Sequence, residues 1–317
     1  MQILIIQTAF IGDVVLATSV AEKLHHHFPK ASIDFCIRSG YEELFDQHPF
    51  VRSVHSFNKL HKGSSLIQLI KRFRSIHYDL VINLHRFLSS GILAAFSGAD
   101  QIIGFRKNPL SFLFSERYPH SFDGQHEIER NHSLIAGIVD DPDPQIPKLY
   151  VDHLINKLKE RYGKDYVTIS PGSVWQTKKV PLNKWIELIR NKLSGNNIYL
   201  LGGADDLSDC QYIQNQCKGL SVMVLAGQLS MLESAALMKG ADMNYVNDSA
   251  PMHFASAVNA SVTAAFCSTI PAFGFAPLSD MSFIAETGEQ LPCRPCGIHG
   301  KRQCPQGHFR CGSTIIL

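Results

Sequence analysis

One pattern constrains this chain more than any other, and it occurs twice. Short runs of consecutive apolar residues alternate with longer segments of helical periodicity. The first run is Gln2-Ile3-Leu4-Ile5-Ile6-Gln7. A strand buried on one face alternates apolar and polar residues, whereas an unbroken apolar run marks a strand covered on both faces. Similar runs predict strands at 32–37, 54–57, 78–84 and 101–105, separated by helical patterns at 14–28, 41–47, 65–75 and 89–96. Strands spaced by helices cannot pair as hairpins, so a parallel sheet with helices on both faces is expected.

The pattern breaks at Asp140-Asp141-Pro142-Asp143-Pro144-Gln145-Ile146-Pro147, where three prolines and three acids mark a linker. It then restarts. Strands are expected at 166–170, 197–201, 222–226, 243–246, 261–266 and 282–285, and helices at 183–193, 208–218, 230–239 and 251–258. The prediction is an α/β chain of two doubly wound, Rossmann-like lobes, residues 1–145 and 146–317. The length of 317 residues agrees with two domains of roughly 150 residues each. Ligands of such sheets sit beyond the carboxyl ends of the strands, so an interdomain cleft is the expected site.

Charge and composition exclude several classes. Against 28 Asp and Glu stand 30 Lys and Arg, a net charge of +2 that argues against nucleic acid. Asp13 interrupts the apolar stretch from Ile3 to Ala21, and no Lys or Arg precedes it, so no signal peptide is read. No other window offers about 20 apolar residues free of charge. A cytoplasmic location is the expectation. The basic stretches Lys71-Arg72-Phe73-Arg74 and Lys301-Arg302 read as solvated surface. Cys36, Cys210, Cys217 and Cys267 stand in apolar or helical context and read as free thiols. Cys293, Cys296, Cys304 and Cys311 crowd the last 25 residues. With His308 between the last two, they resemble a structural zinc site; a reduced surface tail is the alternative.

The chain has no G-x-G-x-x-G after either first strand, no P-loop and no G-x-S-x-G elbow. Asp141-Pro142-Asp143 has the D-x-D form of metal-dependent sugar transferases, but inside a Pro-rich linker it reads as turn chemistry. His25-His26-His27 falls in a helix, where adjacent residues diverge by about 100°, so the three cannot share one metal.

What remains lies between strands and helices. Asp13 reads either as a helix N-cap or as a general base, and Gly12 before it lets a ligand approach the backbone. Ser170-Pro171-Gly172-Ser173-Val174-Trp175-Gln176-Thr177-Lys178-Lys179-Val180-Pro181 offers backbone, hydroxyl and ammonium donors suited to a phosphate, or a solvated basic loop. In Tyr245-Val246-Asn247-Asp248-Ser249-Ala250-Pro251-Met252-His253 a strand gives way to a helix, with Ser249 as cap and Pro251 in the first turn. The N–H groups there suit a pyrophosphate. His253 either reaches that ligand or is a core histidine. Ser268 and Thr269 follow the next strand. In Leu201-Gly202-Gly203-Ala204-Asp205-Asp206 the acids either bind a ribose or base, or cap the next helix.

Together these segments resemble glycosyltransferase family 9, the bacterial heptosyltransferases of lipopolysaccharide core synthesis. The resemblance rests on Ile11-Gly12-Asp13-Val14-Val15-Leu16-Ala17-Thr18, Asp79-Leu80-Val81-Ile82-Asn83-Leu84-His85, His126-Glu127-Ile128-Glu129-Arg130-Asn131, the Lys178 loop, Leu201-Gly202-Gly203 and Asp248-Ser249-Ala250-Pro251-Met252-His253. It implies the two-lobe GT-B architecture, with the acceptor on the first lobe and the nucleotide sugar on the second. It implies inverting, metal-independent transfer of L-glycero-D-manno-heptose from ADP-heptose to a lipid-anchored anionic saccharide, with peripheral association at the inner membrane face. By motif, Asp13 is the base and Lys178 neutralises the diphosphate. Ser173, Thr177, Gly203, Asp206, Asp248, Ser249, Ala250, His253, Ser268 and Thr269 take the donor; Gly12, His85 and Arg130 take the acceptor. No cofactor is required for catalysis; the zinc of the tail would be structural. A family member with another sugar or acceptor, a nucleotide-binding member without transfer activity, and a sugar-nucleotide epimerase are the alternatives.

Overall fold

All residues, 1–317, are described by the computed structural model, and the chain separates between Tyr150 and Val151 into two units. In the first, β1 (Gln2–Gln7) leads into α1 (Ile11–His27), β2 (Ser32–Arg38), β3 (Val51–Phe57), α2 (Lys62–Ile76), β4 (Leu80–Asn83), α3 (Leu88–Ala95), β5 (Gln101–Phe105), β6 (Glu116–Tyr118) and α4 (Glu127–Ser133). The second holds α5 (Asp152–Tyr162), β7 (Tyr166–Ser170), α6 (Leu182–Lys192), β8 (Asn197–Leu200), α7 (Leu207–Gln216), β9 (Val222–Val224) and α8 (Met231–Lys239). It continues with β10 (Met243–Asn247), α9 (Ala250–Ala257), β11 (Val262–Ala265), β12 (Ser282–Ala285) and the short α10 (Arg310–Ser313).

Each unit has one six-stranded sheet, ordered β3-β2-β1-β4-β5-β6 in the first and β12-β11-β10-β7-β8-β9 in the second. Every neighbouring pair is parallel. Counted from its own first strand, each sheet has the doubly wound order 3-2-1-4-5-6. The order reverses between β1 and β4, and between β7 and β10. The crossovers that leave those strands diverge to opposite faces there and open a crevice.

The apolar runs are buried as their composition demands: Ile3, Leu4, Ile5 and Ile6 of β1 expose nothing. Around them Phe57, Phe73, Tyr78, Val81 and Leu93 build the first core. The second packs Ile169, Trp185, Ile189, Leu200 and Ile213, and draws in Cys311 and Ile315 from the tail. Cys36, Cys210, Cys217 and Cys267 are all buried free thiols. No helix is long and apolar enough to cross a membrane.

The structure departs from the sequence pattern in a few places. α1 starts at Ile11, ahead of the periodic stretch at 14–28, because buried Gly12 fits its tight first turn and Asp13 suits its positive end. Residues 41–47 form only a 3₁₀ turn at Glu42–Phe45. β6 and α4 were not expected; both are short and largely polar, without a long apolar stripe. The linker is fastened to the first unit, which carries the boundary from 145 to 150. The buried Lys23 ammonium pairs with Asp141 and donates to the Asp143 carbonyl at 2.7 Å, while Tyr150 donates to Glu22 at 3.0 Å. The Asp143 N–H donates to Asp141 Oδ1 at 3.1 Å, so the D-x-D segment is a turn closed by its own side chain.

Candidate functional site

In the first unit the polar groups gather where β1 and β4 end. Asp13 is the third residue of α1, and Phe10 holds the N-cap position. Asp13 is therefore not the cap; its Oδ2 reaches back to accept the Phe10 N–H at 3.2 Å. Withdrawal from water, and then the nearby Glu127 carboxylate, push its pKa up to about 6 against the pull of the Phe10 N–H and Arg86. No Lys or Arg lies within ion-pair distance of it. Gly12, beside it, is buried.

His85 follows β4, with Nδ1 at 2.9 Å from Thr8 Oγ1. Burial, then Lys59 and Arg86, push its pKa down to about 3, so it stays a neutral hydrogen-bonding group. Lys59 lies in the same field: burial and the neighbouring Arg38 and Lys62 lower its pKa, and Asp13 opposes them. Neither Lys59 nor Arg86 is in an ion pair, so two cations stand near a carboxyl that titrates just below neutrality and is mostly ionised at pH 7.

Arg130 is placed differently from the expectation of direct acceptor contact. It is only 2% exposed and spends its donors on Glu127 Oε2 at 2.8 Å and on the Gln125 and Ser121 carbonyls. Its guanidinium lies 5.0 Å from the centre of the Phe122 ring, with Arg86 at 5.5 Å and Lys107 at 5.6 Å from the same ring. Burial raises the Glu127 pKa, but His120 and Arg130 outweigh it and keep Glu127 ionised. Arg130 thus orders the wall that charges Asp13's surroundings. Lys59, Arg86, Phe122 and Glu127 carried no assigned role in the sequence; Glu127 and Arg86 lie in or next to the motifs quoted for His85 and Arg130.

In the second unit the loops after β7, β10 and β11 deliver one connected network. Lys178 Nζ lies 2.7 Å from Asp248 Oδ2, with side chains 14% and 7% exposed. Thr269 donates to the same carboxylate at 2.6 Å. Ser268 donates to Thr177 Oγ1 at 2.9 Å. The Lys178 segment is therefore a loop built by hydrogen bonds, with Thr177 and Val180 buried and Lys178 half-buried, and not a solvated basic one. Asn247, which had no assigned role, knits its two ends: Nδ2 donates to the Pro171 carbonyl at 2.7 Å and Oδ1 accepts the Val180 N–H at 3.0 Å.

Ser249 occupies the N-cap position of α9, but its hydroxyl makes no cap bond and donates instead to the Gly172 carbonyl at 3.2 Å. The start of α9, at Ala250, is thereby left without a side-chain cap, which leaves its positive end available to an anion. His253 is buried in α9, with its ring 6.4 Å from that of Phe275. Ser173 is half-buried at the start of the Lys178 loop. Asp206 accepts the Gly203 N–H at 3.0 Å, closing the turn that starts α7. Its carboxylate packs so closely on Gly172 that a Cβ there would collide with it. Lys179 lies 3.1 Å from Asp209. Asp206 thus joins two loops by packing and capping.

No group of three or more His, Cys, Asp or Glu side chains has the arrangement to hold a metal ion. In the tail, the Cys296 thiol donates to the Cys293 carbonyl at 3.3 Å, and Cys293 Sγ lies 3.9 Å from His308 Nε2. Cys311 is buried in the second core, and burial pushes its thiol up to about 11. The four tail thiols lie near enough to act on one another electrostatically, but they are not assembled into the ligand set expected for zinc from the cysteine spacing. The three histidines at 25–27 behave as read: His25 stacks on Phe50 at 4.0 Å, while His26 and His27 face solvent.

The model of glycosyltransferase family 9 (heptosyltransferase) matches residues 66–305. Lipopolysaccharide heptosyltransferase 1 of Pseudomonas aeruginosa is 25% identical over 311 residues, covering 93% of this chain and 86% of that protein. Among solved structures, E. coli ADP-heptose lps heptosyltransferase II superposes with a TM-score of 0.80 at 21% identity, covering 93% of this chain and 96% of that one. E. coli heptosyltransferase WaaC with ADP-2-deoxy-2-fluoro heptose gives 0.74 at 18% identity, covering 90% and 93%. These likenesses bear out the two-lobe GT-B fold expected from the sequence.

Proposed function

The chain belongs to glycosyltransferase family 9, and from that premise we propose that it transfers L-glycero-D-manno-heptose from ADP-heptose to the lipopolysaccharide inner core with inversion at the anomeric carbon. The first unit takes the acceptor and the second the nucleotide sugar. The acceptor is a lipid-anchored anionic saccharide, met from the cytoplasm at the inner face of the membrane. The two cations Lys59 and Arg86 support an anionic acceptor, since unpaired cations attract one. The relative from Pseudomonas aeruginosa supports lipopolysaccharide, and the WaaC structure supports the ADP-linked sugar.

The observation that carries the reading is the Asp13 carboxyl, with its pKa of about 6 among cations. A base that must ionise at neutral pH yet bind a proton well is best tuned near the working pH. Asp13 takes the acceptor hydroxyl's proton as the oxygen bonds to the anomeric carbon. The bond from that carbon to the diphosphate breaks, and ADP leaves with the electron pair. Lys178 and the open end of α9 stabilise the charge that grows on the diphosphate, often the largest single contribution to such a rate. These groups can neutralise the departing diphosphate themselves, which supports the metal-independent reaction we propose. Ser173, Thr177, Ala250, His253, Ser268 and Thr269 line or support the donor loop.

A thermal-shift series with ADP, UDP, GDP and NAD at equal concentration tests the donor. A nucleotide at about 100 times its Kd stabilises the fold by roughly 2.7 kcal/mol. The expected result is a shift with ADP alone. A shift with UDP or GDP alone would retain a transferase and discard the ADP-linked sugar.

A further inference from the structure

Arg294, in the cysteine-rich tail, has a side chain only 13% exposed. Its guanidinium is spent on one stretch of backbone just past β11. Nε donates to the Cys267 carbonyl at 2.7 Å, and Nη2 donates to the carbonyls of Thr269 at 2.8 Å and Phe266 at 3.2 Å. Glu286 pairs with the same guanidinium. The residues fixed in this way, Ser268 and Thr269, donate to Thr177 and to Asp248, the partner of Lys178. The Cys296 N–H adds a bond to the Ser268 carbonyl at 2.9 Å.

The same tail grips the Lys178 loop from a second side. The Thr177 N–H donates to the Lys301 carbonyl at 3.0 Å, and the Lys301 N–H donates to Thr177 Oγ1 at 2.8 Å. Gly300, at φ +75°, lies so close that a Cβ there would stand 2.8 Å from Lys178 Cγ. One short segment, residues 294–301, therefore touches both the loop after β7, which carries Lys178, and the loop after β11, whose Thr269 donates to Asp248.

We propose that Arg294 is a positioning residue for the donor site: through the tail it holds the loops after β7 and β11 in register, and so fixes Lys178 and Asp248 for the diphosphate. The planar fork of arginine spreads its donors in a fixed plane over three carbonyls, whereas an ammonium offers its three donors from one point on a flexible stem. This inference rests on the reading of the second unit as the nucleotide-sugar site.

The test uses the full chain, with ADP as the probe and transfer as a second readout. Arg294→Gln should weaken ADP binding by about tenfold, the scale of one lost charge-assisted hydrogen bond. The donor KM should rise and the acceptor KM stay unchanged. Arg294→Lys should recover part of the loss. A purely structural role would lower the active fraction, and with it apparent kcat, while leaving ADP affinity and both KM values alone. Gly300→Ala removes no hydrogen bond but presses on Lys178 and Thr177 Oγ1 from a left-handed backbone position; it should weaken ADP binding in the same direction, and reads the tail's hold on the Lys178 loop if Arg294→Gln does not fold. Folded variants with ADP affinity within about twofold of the wild type would overturn the proposal. A wild type that binds no ADP would instead overturn the nucleotide reading on which it rests.

Discussion

In the first unit the Asp13 carboxyl, two residues into the helix after β1, has no cation at ion-pair distance, and its pKa climbs to about 6. In the second, Asp248, directly after β10, has Lys178 at 2.7 Å and the Thr269 hydroxyl at 2.6 Å. Both sheets have the same strand order, and both carboxylates sit beside the point where that order reverses. The difference lies in what each sequence sends into that crevice. The first leaves a carboxyl underpaired, so that it can exchange a proton. The second pairs a carboxylate with an ammonium and the Thr269 hydroxyl, so that charge is already oriented when a ligand arrives. On the proposed reading, one topology serves proton transfer in one place and preorganised electrostatics in another.

The largest expected break in this comparison is Lys178→Met. It leaves Asp248 buried without its cation and should cost about 3 kcal/mol of stability in the second unit. Its transfer rate should fall by about 10²–10³. Adding Asp248→Asn should return much of the stability, measured by denaturant unfolding, and none of the activity. A single variant as stable as the wild type would show the pair to be incidental.

Asp13→Asn should act in the opposite sense on stability. The folded pKa is raised above 3.8, so the folded chain favours the protonated form. The stability this contributes is fully present below pH 3.8 and is lost as pH rises through about 6. At pH 7 the ionised carboxylate is a net cost, and an amide in its place should stabilise the first unit by on the order of 1–2 kcal/mol. The gain should vanish at pH 4, where unfolding curves of the two proteins converge. A destabilised variant at pH 7 would reverse the account of this carboxyl.

The same group predicts the acid limb of activity. The kcat/KM profile should fall about tenfold per pH unit below roughly 6, as Asp13 takes up its proton. An acid limb near 4 would mean that the carboxyl is not perturbed in the free enzyme. The smallest effect belongs to Ser249→Ala. Its hydroxyl caps no helix N–H, so the change should cost less than the ~1 kcal/mol typical of a serine cap.

Much of this division was legible in the sequence because it is local. Unbroken apolar runs gave most strands of both sheets to within a residue or two, and the polar segments after 7, 84, 170 and 247 marked the strand ends. Asp13 was found by its place, but its helical position was not, since Gly12 resembles a loop former until its burial is known. What stayed hidden depends on distant contacts. Arg294 meets the carbonyls of 266–269 across more than twenty residues of chain, and Gly300–Lys301 meets Thr177 across more than a hundred. A lone arginine between a cysteine and a proline has no periodicity to betray it. The cysteine spacing suggested a metal but gave no hint that the same segment bonds to the Lys178 loop. Arg130 and His85 were picked out by motif, but only packing shows that one is fully engaged and the other held neutral.

The central claim is that the proton is handled on the first unit and the nucleotide on the second. The most direct measurement is ADP affinity and heptose transfer from ADP-heptose, taken side by side on the Asp13→Asn variant. The account expects ADP to bind as in the wild type and transfer to fall by about 10²–10⁴. Transfer at the wild-type rate would contradict it, because Asp13 would then not be the base.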